Sequence, residues 1–144
     1  MNSSTQDMAM SGNDRMEQAI QELLAVHEHE RVAHFAADVD ALMENQAEDF
    51  TSAGNGVIHH LTGEEMRRNF EEAFKNATYH EFDDLEPPVV RASADGSLGW
   101  MMVRISVRKS QPDEEGEIRE RKFISAGIRT YEKRNGLWLR TGTS

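Results

Sequence analysis

The sequence predicts an α+β domain in which helices precede an antiparallel meander of strands. Three observations carry this. Helical periodicity and cap signals dominate residues 14–75, broken by an extended piece at 49–61, and include Thr62 and Glu65 in a capping-box arrangement. Alternation with a period of two replaces them from about residue 78, clearest in Trp100–Arg108. Tight-turn dipeptides then punctuate the second half, at Asp95-Gly96 and at Asn135-Gly136. Helices followed by strands argue for helices on one face of a curved sheet, as a single domain over 14–144.

Taken in order, residues 1–13 are rich in Ser, Asn and Met without periodicity and read as a disordered tail. Helix one is expected from Asp14, with Glu17 three residues on, to about Phe35. Asp38 caps a second helix over VDALMENQAE, ending before Phe50. DFTSAGNGVIHHL is extended with a glycine turn, and TGEE opens a third helix through about Lys75. ATYHEFDDLEP, VVRASA, SLGWMMVRISVRK, IRERKFISAGIRTYEK and LWLRTGTS are the strands.

Composition excludes several classes. The absence of cysteine removes disulfide and thiolate chemistry and fits a reducing compartment, so a cytoplasmic location is expected. The first residues lack the basic and apolar regions of a signal peptide. No run approaches the roughly 18 apolar residues of a membrane span. Net charge is −10, which disfavours nucleic acid. That charge is uneven: residues 17–88 hold 17 acids against 4 bases, and residues 89–144 hold 7 against 11.

Strand parity separates two faces. Met101, Val103, Ile105 and Val107 point one way, and Ile124, Ala126 and Ile128 are grouped with them as the side that meets the helices. Trp100, Met102, Arg104, Phe123, Arg129 and Tyr131 then form the other side. Aromatics, Met and Arg are enriched at interface centres, so this set is expected to pair two copies in a homodimer.

The segments AADVDALMENQAEDF (36–50), LTGEEMRRNFEEAF (61–74) and YEKRNGLWLRTGTS (131–144) resemble the NTF2-like superfamily, in particular its SnoaL-like branch of small bacterial proteins. The resemblance covers nearly everything from residue 15 onward. It implies a cystatin-like cone, three N-terminal helices packed on a curved antiparallel sheet, with a pocket at the open end and usually a dimer. It implies no single activity, because the scaffold hosts isomerases, cyclases, dehydratases, epoxide hydrolases and non-enzymes. The ketosteroid-isomerase-like pattern wants a Tyr eight residues before Asp38 and a base five residues after Asp49; Glu30 and Gly54 stand there. The epoxide-hydrolase-like Arg-x-Asp is met only by Arg104-Ile105-Ser106. No histidine can be carried across from the scytalone-dehydratase-like pattern.

On the first helix, His27, Arg31 and His34 fall in the apolar stripe with Met16, Ile20, Leu23, Leu24 and Phe35, whereas His29 lies off it. Polar groups so placed need partners. A metal is not expected: His27 and His34 are separated by about 10 Å of helical rise, and Arg31 between them cannot coordinate. Two readings remain. In one, His27 and His34 are satisfied core histidines bonded to Asp49, Glu48 or main chain, and Arg31 pairs with a carboxylate. In the other, His27, Arg31, His34, Asp49 and one of His59 and His60, with His60 as the candidate, line a pocket for a small, largely apolar molecule. His34 with Asp49 are then the candidates for any acid/base chemistry. The expected role is binding without a cofactor; a cofactor-free isomerase, cyclase or dehydratase and a ligand-free dimerisation module are the alternatives.

Overall fold

A computed structural model describes residues 11–144. Helix α1, Gly12–Ala36, starts earlier than the sequence suggests: its cap is Ser11, whose side chain accepts from the Asp14 amide while Asp14 reaches back to the Ser11 amide. Asp14 thus occupies the third helical position rather than the cap, so Ser11 caps this helix and residues 12–13 belong to it; the rest of the expected tail lies outside the described residues. Ala37, in the left-handed region at φ 50°, ends it.

Asp38 caps α2 as expected, but α2 is only Val39–Met43. The expected helix over 46–48 is instead the start of strand β1, Gln46–Gly54. Ala47 and Phe50 are buried there, so burial in the sheet overrides local helix preference. Asn55-Gly56 turns the chain into β2, Val57–Thr62, with φ of 52° and 80°. The Thr62–Glu65 box forms with both reciprocal bonds and opens α3, Gly63–Phe74.

Five strands follow: β3 Thr78–Asp84, β4 Val89–Ala92, β5 Leu98–Pro112, β6 Ile118–Arg134 and β7 Leu137–Thr143. The sheet order is β2-β1-β7-β6-β5-β3, with β4 also on β5. Every pairing is antiparallel except β1 with β7, which is parallel. β7 pairs with β6 only from Arg129 to Arg134, and Ser144 continues as far as Ile128, so the first half of β6 has a free edge among the described residues.

The core lies between α1 and the sheet. Leu23 and Val26 pack with Val90, Met101, Val103, Ile105, Val107 and Trp138. The β5 parity is therefore as expected. That of β6 is reversed, because Met101 pairs with Arg129 and Gly99 with Tyr131. Cross-strand partners share a face, so Arg129 and Tyr131 point toward the helix, and Ile124 (58% exposed) lies on the outer face. No described helix is long and apolar enough to cross a membrane.

Candidate functional site

The positions 23, 26, 27, 30, 33 and 34 of α1 follow helical spacing and face the sheet, which places Glu30 at the centre of the buried stripe. Its side chain is 2% exposed. Such a carboxylate needs compensation. It comes from the sheet: Arg129 Nη1 lies 2.9 Å from Oε2, Arg140 Nη1 lies 3.4 Å from Oε1, and Tyr131 donates its hydroxyl to Oε1 at 3.5 Å. Burial alone would raise the Glu30 carboxyl, but the Arg140 and Arg129 guanidiniums together hold it below the usual carboxylate range. Burial, and then the Glu30 charge, push the Tyr131 phenol up to about 12, so it stays protonated.

The two histidines complete this cluster. His27 Nδ1 accepts from Arg129 at 3.4 Å, which leaves Nε2 to donate to Asp84 at 2.8 Å. His34 donates Nδ1–H to the Glu30 main-chain oxygen at 2.7 Å. Its ring is stacked on Phe82 and meets Phe74 and Tyr79 edge-on, and burial pushes it down to about 4. The reading as satisfied core histidines therefore describes them, with Asp84 and main chain as the partners in place of Asp49 and Glu48.

Beside the cluster lies a cleft of about 520 Å³, between α3 and the free edge of β6. Phe50, Leu61, Met66, Phe70 and Val103 give it apolar walls, and Arg129 and Arg140 close it on the side toward Glu30. Arg140 is 7% exposed; its Nη2 donates to Gln46 at 3.1 Å, its guanidinium lies 5.6 Å from the Phe70 ring centre, and its Nε has no partner. Neither a histidine nor an acidic side chain lines this cleft. Guanidiniums stay protonated, so this wall can bind and orient a ligand but cannot carry protons.

The expected pocket residues are not brought together there. Arg31 is held at the surface by the Phe82 carbonyl and Asp83. Asp49 pairs with Arg134 on an exposed stretch of β1, and His60 lies with it on a separate shallow groove. His59 is exposed as well. His34 and Asp49 share no cavity. The six residues expected on one sheet face are divided: Trp100, Met102 and Arg104 lie on the outer side, whereas Phe123, Arg129 and Tyr131 lie on the helix side. Phe123 is nonetheless 38% exposed. Among the described residues no group of three or more His, Asp or Glu is placed to hold a metal ion. Sequence reasoning missed Glu30 and Arg140. The signal for Glu30 was present: it sits three and four residues from His27 and His34, in the middle of the stripe they mark.

No family model matches the chain, and no curated protein matches it in sequence. Solved structures do match it. A proposed dehydratase of the NTF2-like family from Streptomyces avermitilis superposes with a TM-score of 0.69 at 10% identity, over 88% of this chain and 94% of that one. An NTF2-like protein of unknown function from Pseudomonas putida gives 0.66 at 16% identity, over 89% and 86%. A proposed polyketide cyclase from Xanthomonas campestris gives 0.56 at 15%, over 88% and 90%. With α1 packed on one face of the curved sheet, and with these superpositions over most of each chain, the chain has the NTF2-like, cystatin-like cone fold.

Proposed function

We propose that the cleft between α3 and the free edge of β6 binds a small, largely apolar molecule, and that the protein acts by binding it rather than by strong catalysis. The observation that carries this is the cleft itself. Its volume of about 520 Å³ suits a small ligand, and its walls join apolar side chains, Phe50, Leu61, Met66, Phe70 and Val103, to nearly as much polar surface. The dehydratase and cyclase named among the structural neighbours suggest a cofactor-free reaction as the rival reading. Against it stands the lining, which holds no side chain able to exchange a proton near neutrality.

The test uses N-phenyl-1-naphthylamine, a neutral probe whose fluorescence rises in apolar surroundings. Saturable one-to-one binding is expected, and Ser125→Trp, a change at an exposed lining position, should abolish it. Absence of saturable binding, or binding indifferent to Ser125→Trp, would reject the cleft as the site.

We also propose that the outer sheet face pairs two copies of the chain. Val89, Met102 and Ile128 lie side by side across β4, β5 and β6 on that face, and Met102 is 48% exposed.

A further inference from the structure

We infer that Arg129 and Arg140 form an anion subsite in the cleft, and that the molecule the cleft takes is a monocarboxylate with an apolar body. This rests on the reading of the cleft as a small-molecule site and gives that ligand a chemical class.

Three observations converge. First, the charges that meet at the wall do not balance locally: two guanidiniums share one carboxylate, Glu30. The next acid, Asp84, lies on the far side of the His27 ring from Arg129, and its side chain is 32% exposed, where water screens it. Second, Arg140 is more than nine-tenths buried, yet its Nε has no partner, while both its terminal nitrogens are engaged by Glu30 and Gln46. A buried N–H of this kind calls for an acceptor, and Arg140 is itself part of the cleft lining. Third, no Asp or Glu side chain lines the cleft; its polar side chains besides the arginines are Ser52, Asn69, Ser125, Thr143 and Ser144.

The ligand's form follows. A guanidinium presents its donors in one plane, which matches a carboxylate and its two oxygens. Phe70 lies against the Arg140 guanidinium and helps to fix that plane. The apolar walls take a hydrocarbon body. A net charge of −10 on the whole chain works against a di- or trianion, so a single negative charge fits best.

The experiment compares 3-phenylpropanoate with 3-phenylpropanamide, which differ in charge and hardly in shape, using protein labelled with ¹⁵N. The acid is expected to bind at least about tenfold more tightly than the amide, because a charge-assisted hydrogen bond is roughly twice as strong as a neutral one. It should also move the Arg140 Nε–Hε resonance, which the amide should leave nearly in place. In Arg140→Met the two ligands should bind alike. Should that variant fail to fold, the resonance of the wild-type side chain decides alone. Equal affinities, or an acid preference that leaves the Arg140 resonance unmoved, would overturn the subsite. Binding of the neutral naphthylamine with no preference for the acid would remove the subsite and leave the cleft standing. Failure of all three compounds to bind would remove both.

Discussion

Arg129 on β6 meets Glu30 on α1 at 2.9 Å, and both side chains are inside the fold, 16% and 2% exposed. The pair joins the long helix to the sheet at the point where the apolar core gives way to the cleft. Arg140 on β7 approaches the other carboxylate oxygen at 3.4 Å. Removing the shared acid leaves two guanidiniums without their counter-charge. Glu30→Ala is therefore expected to cost about 3–5 kcal/mol in urea unfolding, the range for breaking a buried ion pair by deleting one partner. Glu30→Gln, which keeps the shape and part of the hydrogen bonding, should cost less. A loss below about 1 kcal/mol for Glu30→Ala would mean that water already reaches the cluster and screens it.

His34 gives the fold a pH dependence of defined sign. Its ring is pushed down to about 4 by burial, against an ordinary value of 6.5. Between these limits the unfolded chain binds a proton that the folded chain does not. The contribution is present above pH 6.5 and is lost as the pH falls toward 4, and it amounts to about 2 kcal/mol between pH 7 and pH 5. His34→Phe should remove it. The measurement is the difference between wild-type and His34→Phe unfolding free energies at the two pH values. A difference that does not change with pH would show that the His34 ring titrates normally and is not held by Phe74, Tyr79 and Phe82.

Much of the fold was legible because local rules and the tertiary structure agree. Asn55-Gly56 and Asn135-Gly136 both turn in the left-handed region, and Thr62 with Glu65 caps α3. In β5 the strict alternation leaves Met101, Val103, Ile105 and Val107 buried. The candidate site was less legible, for two physical reasons. In β6 the more apolar set, Ile124, Ala126 and Ile128, is the one turned away from the helix, so hydrophobicity pointed to the wrong face. Register with β5 decides the matter, and a one-residue slip exchanges every side chain between faces. The faces were thus misread where the core is charged. Burial of Arg129 is stabilised by Glu30, a pairing across 99 residues that no local pattern reports. Likewise 46–48 reads as helix until the pairing of β1 with β7 is known.

Asp49 shows the same divide between pattern and position. Its carboxylate is bound by Arg134 at 2.8 Å, but the side chain is 73% exposed. The Arg134 hydrogen bond holds it below the usual carboxylate range. Exposed ion pairs contribute little, so Asp49→Ala should change stability by about 0–1 kcal/mol. It should also leave naphthylamine binding unchanged, since Asp49 lies outside the cleft. A tenfold loss of probe affinity in Asp49→Ala would return this residue to the ligand site.

The pairing of two copies is the remaining prediction, and the register of the sheet says which residues should carry it. Met102 stands directly between Val89 on β4 and Ile128 on β6, all on the face away from α1. Met102 and Val89 are 48% and 39% exposed. Arg104, two residues along β5, continues the same face and makes no ion pair among the described residues, and Glu86 borders the same depression. A two-fold axis through such a patch brings each residue type opposite its own surroundings, so Arg104 of one copy can meet Glu86 of the other around an apolar centre. Arg129 and Tyr131 lie on the opposite face and should take no part. The wild-type chain is expected to sediment as a dimer at micromolar concentration. Met102→Glu places two like charges at the centre of the patch and should give a folded monomer, while Arg104→Glu should weaken the dimer through repulsion with Glu86. Both variants should keep the unfolding free energy of the isolated fold to within about 0.5 kcal/mol, as expected of surface changes. A wild-type chain that sediments as a monomer, or a Met102→Glu chain that remains a dimer, would place the contact elsewhere or remove it.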